Sequence, residues 1–179
     1  MELVILVDEQ NREIGTADKD TVHTSSTPLH RAFSLFLFNA KNELLLTQRS
    51  PTKKTFPGIW TNTVCGHLLP GETASTSAKR RLKEELGITA SKISEVAPYR
   101  YRFADYNGIV ENEICPILIT YSNAYPQPNP QEIATWKWIP WRAFLQEIAA
   151  APTQYSPWSV EEAHIIEQRK VLRPFKKTK

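Results

Sequence analysis

Three features of the sequence predict an α/β fold. Large and β-branched residues alternate from Trp60 to Val64 as they do in a strand, and Gly66 breaks the run. From Thr73 to Leu86 an apolar row at Ala74, Ala78, Leu82 and Leu86 takes over at the i, i+4 spacing of a helix. Around this strand, loop and helix lie further short β-rich runs and two more helical stretches. The chain has 179 residues, a length that suits one domain over 1–179, since domains typically run to about 100–200 residues.

From the N-terminus, Leu3 to Val7 and Glu13 to Thr16 flank a polar turn and read as a hairpin. Thr24-Ser25-Ser26-Thr27-Pro28 is loop, with His23 and His30 seven residues apart across it and Lys19 just ahead. Phe33 to Phe38 and Glu43 to Arg49 are strands joined by the turn Asn39-Ala40-Lys41-Asn42. Arg49, Lys53 and Lys54 then precede Pro57-Gly58.

In the central helix Glu72 suits the positive end of the macrodipole, Thr73 is the expected N-cap, and Gly87 can take the left-handed conformation that stops it. Arg80 with Glu84 and Arg81 with Glu85 are i, i+4 neighbours expected on the face away from the apolar row, either as surface ion pairs or as part of a site. Ile93 to Phe103 reads as extended, Asp105-Tyr106-Asn107-Gly108 as a turn, and Val110 to Thr120 as a return strand. On that strand Glu111 and Glu113 share a face, and two acids in one cleft need a metal or a shared proton to compensate them. Ala124 to Pro130 is a Pro-rich connection, Thr135 to Ile139 a strand, and Pro140-Trp141 opens a short helix to about Ala150. Pro157 suits the first turn of a final helix to about Leu172, with Trp158 either stapling it to the sheet or serving a site.

Composition narrows the function classes. With 41% hydrophobic and 10% aromatic residues the chain can bury a real core, and its longest apolar stretch, around Phe33 to Phe38, is far short of the ~20 residues that span a bilayer. No basic segment precedes the apolar Met1 to Val7, so a cytoplasmic protein without signal peptide is expected, with its two cysteines as free thiols. A formal charge of +3, part of it in a frayed end at 174–179, gives little support for nucleic-acid binding.

The chemistry-bearing residues concentrate in Cys65-Gly66-His67 and in the helix that follows. Gly66, five residues, Glu72, seven residues, Arg80, then Leu82, Glu84-Glu85 and Gly87-Ile88 resemble the Nudix box. One position departs: Arg81 stands where the box has a glutamate that helps collect divalent metal for hydrolysis. The wider chain, from about residue 3 to about 170, resembles the type I isopentenyl-diphosphate isomerases. It does so through His23, Leu29-His30, Phe38-Asn39-Ala40-Lys41, Pro57 to Asn62, Cys65-Gly66-His67, Gly108 to Glu113 and Ser156-Pro157-Trp158.

The resemblance implies a single Nudix-type α/β/α sandwich with a mixed sheet, and a reversible proton shift between isopentenyl and dimethylallyl diphosphate, a step of isoprenoid biosynthesis. By it, Cys65 and Glu113 form the acid–base pair, Glu113 delivering a proton to C4 with help from Tyr101 and Cys65 taking one from C2. Trp158 presents its π face to the cation at C3. Lys19, Arg49, Lys53 and Arg81 hold the diphosphate, the guanidinium of Arg49 being suited to bidentate contact. His23, His30, His67, Glu111 and Glu113 make a three-nitrogen, two-oxygen set for Mn²⁺ or Zn²⁺. Mg²⁺ is expected between Glu85, the main-chain carbonyl of Cys65 and the substrate's phosphate oxygens. The expected partner is a small diphosphate, with neither nucleic acid nor membrane. The alternative reading is a Nudix hydrolase of a nucleoside diphosphate derivative, favoured by Glu72, Arg80, Glu84 and Glu85 and disfavoured by Arg81. A non-catalytic protein on the same fold is the third. Cys115, on the strand face of Glu113, reads as a buried structural thiol before a site wall.

Overall fold

A computed structural model describes residues 2–172, so the end at 174–179 lies outside the described residues. The fold is built on β3 (His30–Phe38), whose residues are nearly all buried because neighbours cover both of its edges and both of its faces. Along one edge lie in turn β1 (Leu3–Val7), β6 (Val64–His67) and β4 (Glu43–Arg49), all antiparallel to it. Along the other lie β9 (Val110–Ile114) and β10 (Ile117–Tyr121), both parallel. β2 (Glu13–Asp18) extends the sheet beyond β1, β11 (Ile133–Pro140) and the short β5 (Trp60–Thr61) pair with β4, and β7 (Ile93–Ala97) and β8 (Arg100–Ala104) pair with β10 and β9. The sheet is mixed, as expected.

Alternation along β3 assigns its two faces. Phe33, Leu35 and Leu37 pack with Ala78, Leu82 and Leu86 of α2 (Ala74–Leu86). Phe36 and Phe38 pack the opposite way, against Trp141, Phe144 and Ile148 of α3 (Trp141–Ala150) and Ala163 and Ile166 of α4 (Pro157–Arg169). Helices therefore cover both faces. α1 is a single turn (Lys19–Val22) behind the N-cap Asp18. In α2 Thr73 caps the Thr76 N–H while Thr76 returns the bond to Thr73, and Gly87 ends the helix at φ 67°, where a Cβ would be strained.

Several expected elements differ at their limits. The run from Trp60 to Val64 is two strands, because at Asn62 and Thr63 side chains replace the ladder: Asn62 Nδ2 donates to Leu35 O at 3.0 Å and Thr63 Oγ1 to Leu45 O at 2.7 Å. Gly66 does not end the run but lies inside β6, where an added Cβ would stand 3.3 Å from Arg81 Cγ and 3.4 Å from Phe33. The stretch at 93–103 and its return at 110–120 each break once, at Pro98-Tyr99 and Cys115-Pro116, since a proline cannot donate to the ladder. The two breaks face each other, Cys115 N–H donating to Tyr99 O at 2.9 Å, and β9 beyond them pairs with the start of β3, which brings Glu113 beside His30. The last helix ends at Arg169, where Lys170 turns left-handed at φ 50°.

Candidate active site

Register on β3 gathers the site. His30 pairs with Glu113 across to β9, Ala32 with His67 and Ser34 with Cys65 across to β6, and Tyr101 of β8 faces Glu113. These side chains line or adjoin a cavity of about 290 Å³ whose walls carry Cys65, Tyr101, Glu113 and Trp158 together with Lys19, Arg49, Lys53 and Arg81. Glu85 stands behind it, in a small adjoining space shared with Cys65, Arg49 and Lys53.

His23, His30, His67, Glu111 and Glu113 are all buried, and one donor atom of each lies within 4.8 Å of all the others. His23 Nδ1 stands 3.3 Å from Lys19 O and His30 Nδ1 2.9 Å from Pro28 O, so these nitrogens carry the proton and leave both Nε2 lone pairs inward. Those two Nε2 atoms and Glu111 Oε2 have no hydrogen-bond partner. His23 Nε2 lies 3.2 Å from Glu111 Oε2, and Glu113 Oε1 lies 3.5 Å from His30 Nε2 and 3.1 Å from His67 Nε2. The outer oxygens are engaged: Thr55 Oγ1 donates to Glu111 Oε1, and Tyr101 Oη donates to Glu113 Oε2 at 2.6 Å. Converging donor atoms, with the other ends of His23, His30, Glu111 and Glu113 tied, fit a divalent metal ion. Burial alone would raise Glu113, but the imidazoles of His30 and His67 beside it hold it well below the usual carboxylate value. Burial pulls His67 down, whereas at His30 the contact with Glu113 outweighs burial and the net shift is upward.

Cys65 Sγ lies 3.0 Å from Asn62 Oδ1 and 3.5 Å from Ser34 Oγ. Burial pushes its thiol up to about 12, and burial with the charge of Glu113 raises Tyr101 well above the usual phenol value. These shifts favour the protonated thiol and phenol and the ionised Glu113 carboxylate. Trp158 stacks on Tyr101 with centroids 5.6 Å apart, meets Phe56 edge-on at 5.0 Å, and has the Arg49 guanidinium 5.8 Å from its own centroid. It staples α4 to the sheet and also forms part of the cavity wall. Cys115 is fully buried among Ala32, Phe56, Tyr101 and Trp158. Both cysteines are free thiols.

The four cations at the cavity are held by carboxylates and carbonyls. Lys19 Nζ pairs with Glu2 at 2.8 Å, Lys53 with Glu132, and Arg49 Nη2 donates to Thr55 O at 2.8 Å. Arg81 Nη2 reaches Glu85 at 2.8 Å and Glu132 at 3.1 Å, and its Nη1 reaches Glu84 at 3.3 Å. Of the two readings of Arg81 with Glu85, the surface ion pair is corrected: both are buried, because the loop carrying Glu132 covers that side. Arg80 mainly grips Glu72, at 2.8 Å and 2.9 Å, with Glu84 at 3.4 Å. Lys54 donates to Asp20 O at the cavity rim, and His164 is an exposed residue of α4.

Thr55, Asn62, Glu132, Ser34 and Glu162 were not singled out from sequence, although Asn62 lay within a quoted motif. Nothing in the local pattern marks a threonine as the partner of a carboxylate fifty-six residues away. No helix among the described residues is long and apolar enough to cross a membrane.

A family profile described as the NUDIX domain matches residues 28–159. The chain is 46% identical over 169 residues to an isopentenyl-diphosphate Delta-isomerase of Saccharopolyspora erythraea, covering 93% of this chain and 87% of that one. It is 45% identical over 175 residues to the enzyme of the same name from Citrobacter koseri, covering 97% of each. Among solved structures, one of a Deinococcus radiodurans protein superposes with a TM-score of 0.72 at 22% identity, over 93% of this chain and 98% of that one, a likeness of fold.

Proposed function

The chain belongs to the Nudix family and, within it, to the isopentenyl-diphosphate Delta-isomerases, and we propose from its own residues how the site performs that reaction. The reaction interconverts isopentenyl and dimethylallyl diphosphate: C4 gains a proton, a tertiary cation forms at C3, and C2 loses a proton. No bond to phosphorus changes. The observation that carries the assignment of roles is the single cavity that holds Cys65, the Tyr101–Glu113 pair and Trp158, ringed by Lys19, Arg49, Lys53 and Arg81.

An unactivated alkene is barely basic, so one group must offer a proton while a second stands ready to accept one. Cys65 and Glu113 meet that need because the pocket distributes few protons over the thiol, the phenol and the carboxylate. For the forward direction Glu113, with Tyr101, gives the proton to C4 and Cys65 takes the one from C2. This requires the sulfur to lose its resting proton to the Glu113 side when substrate binds, and the positive charge of Arg49 already favours that form of the sulfur. The stacked ring of Trp158 faces the cavity and stabilises the cation by roughly 2 kcal/mol in a desolvated site.

Lys19, Arg49, Lys53 and Arg81 bind the diphosphate by exchanging carboxylate and carbonyl partners for phosphate oxygens. His23, His30, His67, Glu111 and Glu113 would hold Mn²⁺ or Zn²⁺, and Glu85 with the carbonyl of Cys65 would hold Mg²⁺ beside the diphosphate. Bound there, the two ions supply positive charge, one orienting Glu113 and the other neutralising phosphate. The hydrolase reading loses support because the guanidinium of Arg81 stands where a hydrolase needs a further carboxylate for metal, and it also engages Glu84. Feeding isopentenyl diphosphate and following both the isomer and released phosphate tests the assignment. Isomer without phosphate is expected, and phosphate appearing at the rate of isomer would overturn it.

A further inference from the structure

Glu162 of α4 is fully buried, and the reaction as described makes no use of it. Its Oε2 lies 2.6 Å from Ser34 Oγ, while its Oε1 has no hydrogen-bond partner. Among the described residues no lysine, arginine or histidine pairs with it, whereas the other fully buried acids of the site have imidazole or guanidinium partners. An ionised carboxylate left unpaired at this depth is costly, so the neutral acid is the form the surroundings favour, and burial correspondingly pushes its carboxyl well above the usual value.

A hydroxyl has one proton and two lone pairs. Trp158 Nε1 can only donate, and it lies 3.3 Å from Asn62 Oδ1, which fixes the orientation of that amide. Asn62 Nδ2 must then be the atom donating to Ser34 Oγ at 2.9 Å. If Glu162 is the neutral acid, its proton takes the second lone pair of Ser34. The Ser34 proton has one remaining heavy-atom neighbour, Cys65 Sγ at 3.5 Å. If Glu162 were ionised, the Ser34 proton would go to the carboxylate and the sulfur would face lone pairs.

We propose that Glu162 is a positioning residue for the isomerisation: as a neutral acid it donates to Ser34 Oγ, and the Ser34 hydroxyl is thereby held as a donor to Cys65 Sγ. That bond fixes the sulfur in direction. Glu162 touches no substrate and acts only through Ser34. The inference rests on the reading of Cys65 as the group that takes the C2 proton.

The test compares Glu162→Leu, Glu162→Gln and Ser34→Ala by kcat, KM, melting temperature and the primary isotope effect with isopentenyl diphosphate deuterated at C2. In Glu162→Leu, kcat is expected to fall roughly tenfold, the size of one lost hydrogen bond to an anion, with KM little changed. The isotope effect should rise, because C2 deprotonation becomes the slower step, and the melting temperature should not fall, since an apolar side chain replaces an orphaned polar one. Glu162→Gln can still donate to Ser34 and should keep more of kcat than the leucine variant. Adding Glu162→Leu to Ser34→Ala should slow the enzyme no further, as both remove one bond. Wild-type kcat and isotope effect in Glu162→Leu, or a glutamine variant no better than leucine, would overturn the proposal. Cys65→Ala separates the two levels: substantial turnover there sinks the reading of Cys65 itself, whereas an inactive Cys65→Ala beside an indifferent Glu162→Leu sinks only the role of Glu162.

Discussion

Trp158 shows how far one residue can be read before its neighbours are known. Sequence allows it to be a staple or a site residue; Tyr101 stacked on it and Phe56 edge-on to it make it a staple, and its ring also lines the cavity. Trp158→Phe should therefore retain more kcat than Trp158→Leu, since phenylalanine keeps a quadrupole and leucine only bulk. Equal rates for the two variants, measured at saturating substrate, would leave the ring a packing residue. Arg81 was legible as a departure from the box, but its burial was not, because the covering carboxylate comes from Glu132, fifty-one residues on. Arg81→Ala should raise KM more than it lowers kcat, and should not create phosphate release. A variant losing kcat alone would place Arg81 outside substrate binding.

Among the elements α2 was read most fully. Its apolar row, its threonine cap and its glycine stop all lie within the helix or next to it, and local propensity and spacing are sufficient for them. What spacing did not give is the clamp of Arg80 on Glu72, which ties the helix to the loop before it and draws Glu72 down to about 2 from a usual value of 4.5. The first cause is the Arg80 hydrogen bond. A depressed carboxylate contributes stability above the unfolded value and loses it as pH falls through the folded one. Glu72→Gln should then be less stable than wild type at pH 7, by about 1 kcal/mol because solvent still reaches the pair. The gap should close as pH is lowered from about 4.5 to about 2. Denaturant midpoints across that range check it, and a gap independent of pH would show that lost packing and not charge is responsible.

At the scale of the whole molecule, five metal-type donors from α1's C-cap, β3, β6 and β9 meet in one buried cluster. A protein that buries two carboxylates and three imidazoles in this way should be stabilised by the ion that fills them, by mass action on the folded state. Prolonged chelation should abolish isomerisation and lower the melting temperature by roughly 5 °C or more. His23→Ala or His67→Ala should lower metal content by elemental analysis without unfolding the chain. Metal-free protein isomerising at full rate would remove the ion from the reaction.

The sequence by itself determined the α/β class, the central helix with both its ends, the family, and the set of side chains proposed to carry the chemistry, because each is written in local period or in a short motif. Only the tertiary structure decided how those side chains are held. Beyond the facing breaks at Pro98-Tyr99 and Cys115-Pro116, β9 pairs with the start of β3, so that Glu113 meets His30. Thr55, Asn62, Glu132 and Glu162 reach their partners across fifty or more residues. A hydrogen bond between segments distant in the chain leaves no periodic trace in either segment, so it becomes visible only when strand register has brought the two together.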